Sequence, residues 1–359
     1  YYSRFEEGKK YPIYCRKKEN INAPEEVFLD ENVYAKNYKI YRSSGFEISP
    51  DNTILCFMAD TAGNRLYTLF FKDLKTGKML DYKIPNTGGD LIWANDNRTI
   101  FFTLNDKTVR NYKVMKYVLG EPIENTKTAL EEPDVKFEFY ISRSRSGKYL
   151  YFESFSTNSN EFKFLNADKP NDEFILIQPR TKNLLYDVQD NGENFYIKTN
   201  SKAKNFKIMV TKIGDPSIEN WNDFVSYNND ILTRRMIVFD DFLSTVEVFK
   251  GLTQIRIINL SDKSDYYINF GEETYHADFG DNYDMHTDKL RYEFSSLTKP
   301  SSIYQHYMKT SKSTLLKQEK VLGNYNQENY ESKRIFASTE AGIKIPISLV
   351  YKKGLKLDG

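Results

Sequence analysis

The chain has 359 residues, 40% of them hydrophobic and 28% charged, a balance that excludes a disordered chain. Lys and Arg number 51 against 50 Asp and Glu, so a net charge of +1 supplies no global field to draw the protein to nucleic acid or an anionic membrane. No run nears the ~18 apolar residues of a membrane span, and the 27 Tyr and 25 Phe suit pleated, half-buried strands.

In chain order, residues 1–4 and 11–16 read as strands flanking the turn Glu6-Glu7-Gly8-Lys9, with 26–29 as a third short strand. The next segment is fuller. Phe46-Glu47-Ile48-Ser49-Pro50-Asp51-Asn52 leads into Thr53-Ile54-Leu55-Cys56-Phe57-Met58, then Leu66-Tyr67-Thr68-Leu69-Phe70-Phe71, then the turn Asp73-Leu74-Lys75-Thr76-Gly77 and a last outer strand. The unit returns at Leu91-Ile92-Trp93, at Tyr140-Ile141-Ser142 and at Tyr186-Asp187-Val188, with weaker copies around Asp240-Asp241 and Thr287-Asp288-Lys289. Residues 219–227 are one candidate for a short helix or loop.

The turn markers Pro50, Asp96, Ser146, Asn191, Asp240 and Asp288 lie 46, 50, 45, 49 and 48 residues apart. Asp and Asn bond their own backbone and tolerate left-handed geometry, so a tight turn between the first two strands of a unit selects them. Four-stranded repeats of this length mark a β-propeller. The fold class is therefore all-β: a seven-bladed β-propeller with blades at about 1–30, 46–85, 91–126, 137–180, 184–226, 234–270 and 276–322. The first blade reads as incomplete, its innermost strand expected ahead of Tyr1. Residues 331–359 break the pattern and read as an orphan hairpin.

The chemistry-bearing motifs are sparse. There is no Gly-x-Ser-x-Gly elbow, Gly-x-Gly-x-x-Gly or P-loop. His286, in Asp281-Asn282-Tyr283-Asp284-Met285-His286-Thr287-Asp288, reads as part of a loop rather than a metal site, and His276 and His306 as packing or surface groups. The pairs Glu131-Glu132 and Asp240-Asp241 are sequence neighbours on turns, unsuited to the spaced carboxyls of a glycosidase. Gly88-Gly89 reads as an inter-blade turn, and Arg145-Ser146-Gly147 as a hairpin turn. Lys202, Lys204 and Lys207 read as a solvated face, and Cys15 and Cys56 as buried free thiols. No residue is assigned as catalytic, cofactor-binding or metal-ligating, and no cofactor is expected.

Several ordered segments resemble the propeller of oligopeptidase B in the prolyl oligopeptidase family of serine peptidases. They include Tyr1-Tyr2-Ser3-Arg4, Glu6-Glu7-Gly8-Lys9, Tyr11-Pro12-Ile13-Tyr14-Cys15-Arg16-Lys17 and Gly45-Phe46-Glu47-Ile48-Ser49-Pro50-Asp51-Asn52. Trp93-Ala94-Asn95-Asp96, Arg291-Tyr292-Glu293-Phe294-Ser295-Ser296-Leu297-Thr298-Lys299-Pro300 and Ile345-Pro346-Ile347-Ser348-Leu349-Val350-Tyr351 extend the match along the chain. The resemblance implies a propeller that covers a C-terminal α/β-hydrolase domain bearing Ser, Asp and His, with residues 331–359 as its start. It implies cleavage of short peptides after Arg or Lys, the basic side chain held by acidic groups of the hydrolase domain. None of those catalytic or specificity positions maps onto this sequence. The propeller's expected role is a size-selective gate, hinged at two chain crossings, one upstream of Tyr1 and the other near 330–334. Its expected partners are short peptide substrates and its own hydrolase domain, with no nucleic acid and no membrane. The alternative is a non-enzymatic interaction scaffold, since fold does not decide function. Two free thiols suit a cytoplasm; a leader ahead of Tyr1 would suit a periplasm.

Overall fold

A computed structural model describes residues 1–356. The last three positions of the segment 331–359 lie outside the described residues. Contacts divide the chain into two compact units, Tyr1–Lys182 and Asn183–Gly359.

The first unit holds four antiparallel sheets. Strands β1 (Tyr2–Arg4), β2 (Ile13–Arg16) and β3 (Glu26–Asp30) form a three-stranded sheet. A five-residue helix, α1 (Glu31–Ala35), follows, its first turn capped by Asp30, which accepts from the Asn32 backbone. Then come β4 (Arg42–Ile48), β5 (Ile54–Asp60), β6 (Tyr67–Asp73) and β7 (Met79–Thr87) in sequential order. The third sheet is β8 (Leu91–Trp93), β9 (Thr99–Asn105), β10 (Asn111–Val118) and β11 (Lys127–Glu131). The fourth is β12 (Glu138–Arg143), β13 (Tyr149–Phe155), β14 (Asn160–Asn166) and β15 (Ile175–Gln178). The outer strand β11 runs past residue 126, where the sequence reading ends that blade. A 3-10 turn at Ile123–Asn125, entered through Pro122, delays the strand by several residues.

The second unit repeats the plan. Its sheets are β16 (Tyr186–Asp190) to β19 (Asn222–Val225), β20 (Ile231–Val238) to β23 (Asp265–Tyr267), and β24 (Tyr275–Phe279) to β27 (Lys312–Gln318). Between these bounds lie β17 (Asn194–Thr199), β18 (Lys207–Lys212), β21 (Phe242–Phe249), β22 (Leu252–Asn259), β25 (Lys289–Ser296) and β26 (Ser302–Tyr307). The candidate short helix or loop at 219–227 is corrected: a 3-10 turn, Ile218–Asn220, passes into strand β19. Trp221 explains the change, because its indole is buried and donates to the Pro216 carbonyl, anchoring the turn where a longer helix would carry it away.

Why the strands read as continuous apolar runs is plain from the packing. Successive side chains point to opposite faces, so a sheet covered on both sides needs apolar residues at every position. On β5, Leu55 and Phe57 join a cluster with Phe28 and Leu29, while Cys56 and Met58 join one with Trp93 and Phe102. On β9, Ile100 and Phe102 face β5 and β6, and Phe101 faces β12 and β13. In the second unit Met236 and Val238 pack with Tyr196, and Ile237 and Phe239 with Ala277 and Leu290.

The turns between the first two strands of each sheet follow the side-chain chemistry. Asn52 and Asn97 take φ of 60° and 58°. Asp96 accepts from the backbone of Arg98 and Thr99 at 3.0 and 2.7 Å and from the Thr99 hydroxyl at 2.6 Å. Asp96→Ala is expected to cost about 1 kcal/mol in chemical unfolding, the net worth of such bonds on a partly exposed turn. No change in the midpoint would mean that water replaces the carboxylate at no cost.

The remaining pair, β28 (Tyr330–Ser338) and β29 (Lys344–Lys352), forms a nine-pair hairpin of its own. Within the second unit it is tethered by Arg334, whose backbone N–H donates to Glu273 at 3.0 Å and whose guanidinium donates to the Lys250 carbonyl. Ile335, Phe336, Ile345 and Val350 on the hairpin are each 45–47% exposed.

Candidate functional site

The histidines separate by environment. His276 is exposed at the first strand of its sheet. His286 leaves its loop to meet Asp240 of the preceding sheet at 2.9 Å, both side chains in solvent. Among the described residues no group of three or more His, Cys, Asp or Glu is arranged to hold a metal. His306 is 1% exposed. Its Nε2 lies 2.8 Å from the Tyr266 hydroxyl and its Nδ1 2.9 Å from Ser313 Oγ. Tyr266 also donates to the Met308 carbonyl at 2.9 Å, and Tyr292 to Ser313 at 3.3 Å. An Nε2–H tautomer satisfies the whole chain of bonds: the ring donates to Tyr266 and accepts from Ser313. Burial pushes the imidazole pKa down to about 4.

The paired carboxylates also part company. Asp240 meets His286 and Asp241 meets Lys309. Glu131 lies on β11 and pairs with Lys113, whereas Glu132, read from sequence as a turn residue, is buried. Its carboxylate takes Arg180 and the Ser154 hydroxyl at 2.5 Å each, and Arg180 also reaches Glu161 at 3.0 Å. The correction has a physical cause. The chain leaving β11 crosses to the next sheet under cover of Arg180, whose guanidinium lies 4.0 Å from the centre of the Phe137 ring.

A further acidic group went unassigned in the sequence. Glu47 on β4, Asp90 just ahead of β8 and Glu138 at the start of β12 all sit at the first strands of neighbouring sheets. Burial raises the Glu47 pKa to about 7, against the attraction of Arg143, although solvent still reaches the side chain. Burial and then the Glu138 charge raise Asp90 to about 6. Asn111 donates to Asp90 at 3.0 Å. Arg143 spends its donors on the carbonyls of Trp93 and Gly147 and on Asn95. Glu47 and Asp90 can exchange protons near neutral pH. Their positions are some 45 residues apart, so the only sequence signal is their common place in the repeat.

The family profile described as "Prolyl oligopeptidase, N-terminal beta-propeller domain" matches residues 1–319. The chain belongs to the prolyl oligopeptidase family. Within it, the protein is 33% identical to the dipeptidyl aminopeptidase BI of Pseudoxanthomonas mexicana, over 100% of this chain and 52% of that relative. It is 28% identical to protease 2 of Moraxella lacunata, over 99% of this chain and 52% of that one. The oligopeptidase B structure from Leishmania major superposes with a TM-score of 0.88 at 26% identity, covering 99% of this chain and 52% of that one. The chain thus spans about half the length of the curated relatives it matches.

As a prolyl oligopeptidase propeller, the chain has a nearly all-β, seven-bladed fold; among the described residues the first blade carries three strands and the other six carry four, apart from the β28–β29 hairpin. In a serine peptidase family the Ser313–His306 contact invites comparison with a nucleophile and its base. A triad places a carboxylate on the far nitrogen, which orients the ring and stabilises its protonated form. Here a tyrosine hydroxyl occupies that place, and burial keeps the ring neutral to about pH 4. The pair is a packed hydrogen-bond chain that ties β26 to β27, where His306 and Ser313 are direct register partners.

Proposed function

We propose that this chain is the gate of a serine oligopeptidase whose reaction is carried out by an α/β-hydrolase domain on the same polypeptide, with cleavage of short peptides after Arg or Lys. The family match across residues 1–319 carries the reading. The half-exposed apolar side chains of the β28–β29 hairpin support it, since residues 331–359 would open the hydrolase domain and give those side chains a surface to pack on. Blades buried on both faces are stiff, and a stiff cover admits thin flexible chains and turns folded proteins away by size.

The test joins the two domains of the full-length enzyme with an engineered disulfide. Turnover of a fluorogenic Arg peptide should fall when the bridge is oxidised and recover on reduction. Equal turnover in both redox states would end the gating idea. The 359-residue chain alone should leave that peptide intact.

The 33% identity to a dipeptidyl aminopeptidase favours a second reading of specificity, removal of dipeptides from free N-termini. Substrates with the Arg bond preceded by a blocked or a free dipeptide separate the two. Cleavage of the blocked peptide supports the endopeptidase reading, and cleavage of the free one alone supports the other.

A further inference from the structure

The β28–β29 hairpin lies beyond the span matched by the propeller profile, and Arg334 joins it to the blades of the second unit. The Arg334 backbone N–H donates to Glu273, in the connection between β23 and β24. Its guanidinium donates to the carbonyl of Lys250, in the turn between β21 and β22. Successive strands of these sheets are antiparallel, so that turn and that connection stand at the same end of the blade. One residue of the hairpin is thus gripped by two loops, through its main chain and through its side chain.

The turn is shaped for this contact. Lys250 and Gly251 take φ of 47° and 77°, the left-handed pair of a two-residue hairpin turn. A first side-chain carbon at position 251 would lie 3.1 Å from the Arg334 guanidinium and 3.4 Å from Pro346. Glycine therefore serves twice, in the backbone angle and in the close approach of the hairpin. Past Arg334 the contact opens. Phe336 and Pro346, register partners in the hairpin, and Lys344 face Lys250 and Gly251 across a cavity of about 580 Å³. A permanent interface would close such a gap, because interiors pack densely. A hydrogen bond from a charged donor at the surface, by contrast, is strong enough to bias an angle and weak enough to break. The hairpin is pinned at Arg334 and loose at Phe336.

We propose that Arg334 is a positioning residue of the gate: its hold on the Lys250 carbonyl and on Glu273 sets the angle of the hairpin on the second unit, and with it the fraction of enzyme whose gate is closed. The inference rests on the proposed function, in which residues 331–359 open the hydrolase domain. Loss of a charge-assisted hydrogen bond made in the closed arrangement alone shifts a two-state equilibrium about tenfold toward the open one. Long peptides need the open gate to enter, so their capture follows that fraction more steeply than the capture of short ones.

The test measures kcat and KM of the full-length enzyme on two unfolded Arg peptides, one of about five residues and one of about 30. Arg334→Met should raise kcat/KM for the long peptide about tenfold relative to the short one, with the change in KM. Gly251→Ala, which crowds the guanidinium, should act in the same direction. Arg334→Lys keeps a donor for the Lys250 carbonyl and should stay near the native ratio. The proposal is overturned if Arg334→Met and Gly251→Ala both leave the ratio at its native value, or if they lower both peptides by one factor, as a general loss of structure would. Thermal melts check folding, and Arg334→Met, on the solvent-reached hairpin, keeps the test decisive if Gly251→Ala does not fold. The interdomain disulfide separates the two readings. A lock without effect on turnover overturns the gate and this inference together, whereas a working lock with an unchanged peptide ratio overturns the role of Arg334 alone.

Discussion

Arg180→Met is expected to lower the free energy of unfolding by about 3 kcal/mol, because it strands two carboxylates at once. Glu132 has 3% of its side chain exposed and Glu161 16%. For both, burial works against ionisation, and Arg180, joined at Glu132 by the Ser154 hydroxyl and the Asp134 backbone N–H, holds the carboxyls below their usual range. Without the guanidinium, Glu132 keeps the Ser154 hydroxyl and the Asp134 backbone N–H, while its charge loses its counter-ion. The stacking of Arg180 on Phe137 is lost as well, and Met retains part of that contact. Removing both partners is a different matter, since a buried ion pair replaced as a unit is often nearly neutral. The double variant Arg180→Met, Glu132→Gln should therefore recover much of the loss. Urea unfolding of the three proteins measures it. A single-variant loss below about 1 kcal/mol would mean that water already solvates the pair.

The second large effect is on acid stability and comes from His306. Its folded pKa, about 4, lies below the ~6.5 of an exposed imidazole. Between those values the unfolded chain binds a proton that the folded one refuses, so stability falls as pH drops from about 6.5 to 4. The full window is worth about 3 kcal/mol for a group this deeply buried. Glu47 and Asp90 act in the opposite sense. Their folded pKa values, about 7 and about 6, lie above those of exposed carboxyls. The folded state holds the extra protons, so these two groups lend stability that is present at acid pH and lost as pH rises through 6 to 7. Solvent reaches Glu47, so its share is smaller than the shift alone suggests. Between about pH 4 and 6.5 the two effects oppose each other in the native protein, and above that only the falling limb of Glu47 remains. The advantage of the native protein over His306→Gln should shrink by about 3 kcal/mol from pH 7 to pH 4. Glu47→Gln should flatten the limb above pH 6. A native-minus-His306→Gln difference that does not change with pH would show that the imidazole titrates normally.

Much of the architecture is legible because it rests on local rules. Asp96 closes its turn through bonds to residues two and three positions away. The run Ile54 to Met58 is apolar throughout because each of its two faces meets a neighbouring sheet. The candidate sites are a different case. Glu132 looks like a solvated turn until Arg180, 48 residues on, covers it. The His306–Ser313 bond had a readable signal, the short hairpin that makes those residues register partners, but Tyr266 reaches the ring from 40 residues upstream.

From its order of residues alone, this protein determined its repeat length, its strand-and-turn alternation and its kinship, since each is written within a window of some fifty residues or less. Tertiary structure alone decided which carboxylates are buried and which histidine stays neutral. Those properties depend on desolvation and on charges brought together by packing, and both are set by side chains that are distant in the chain.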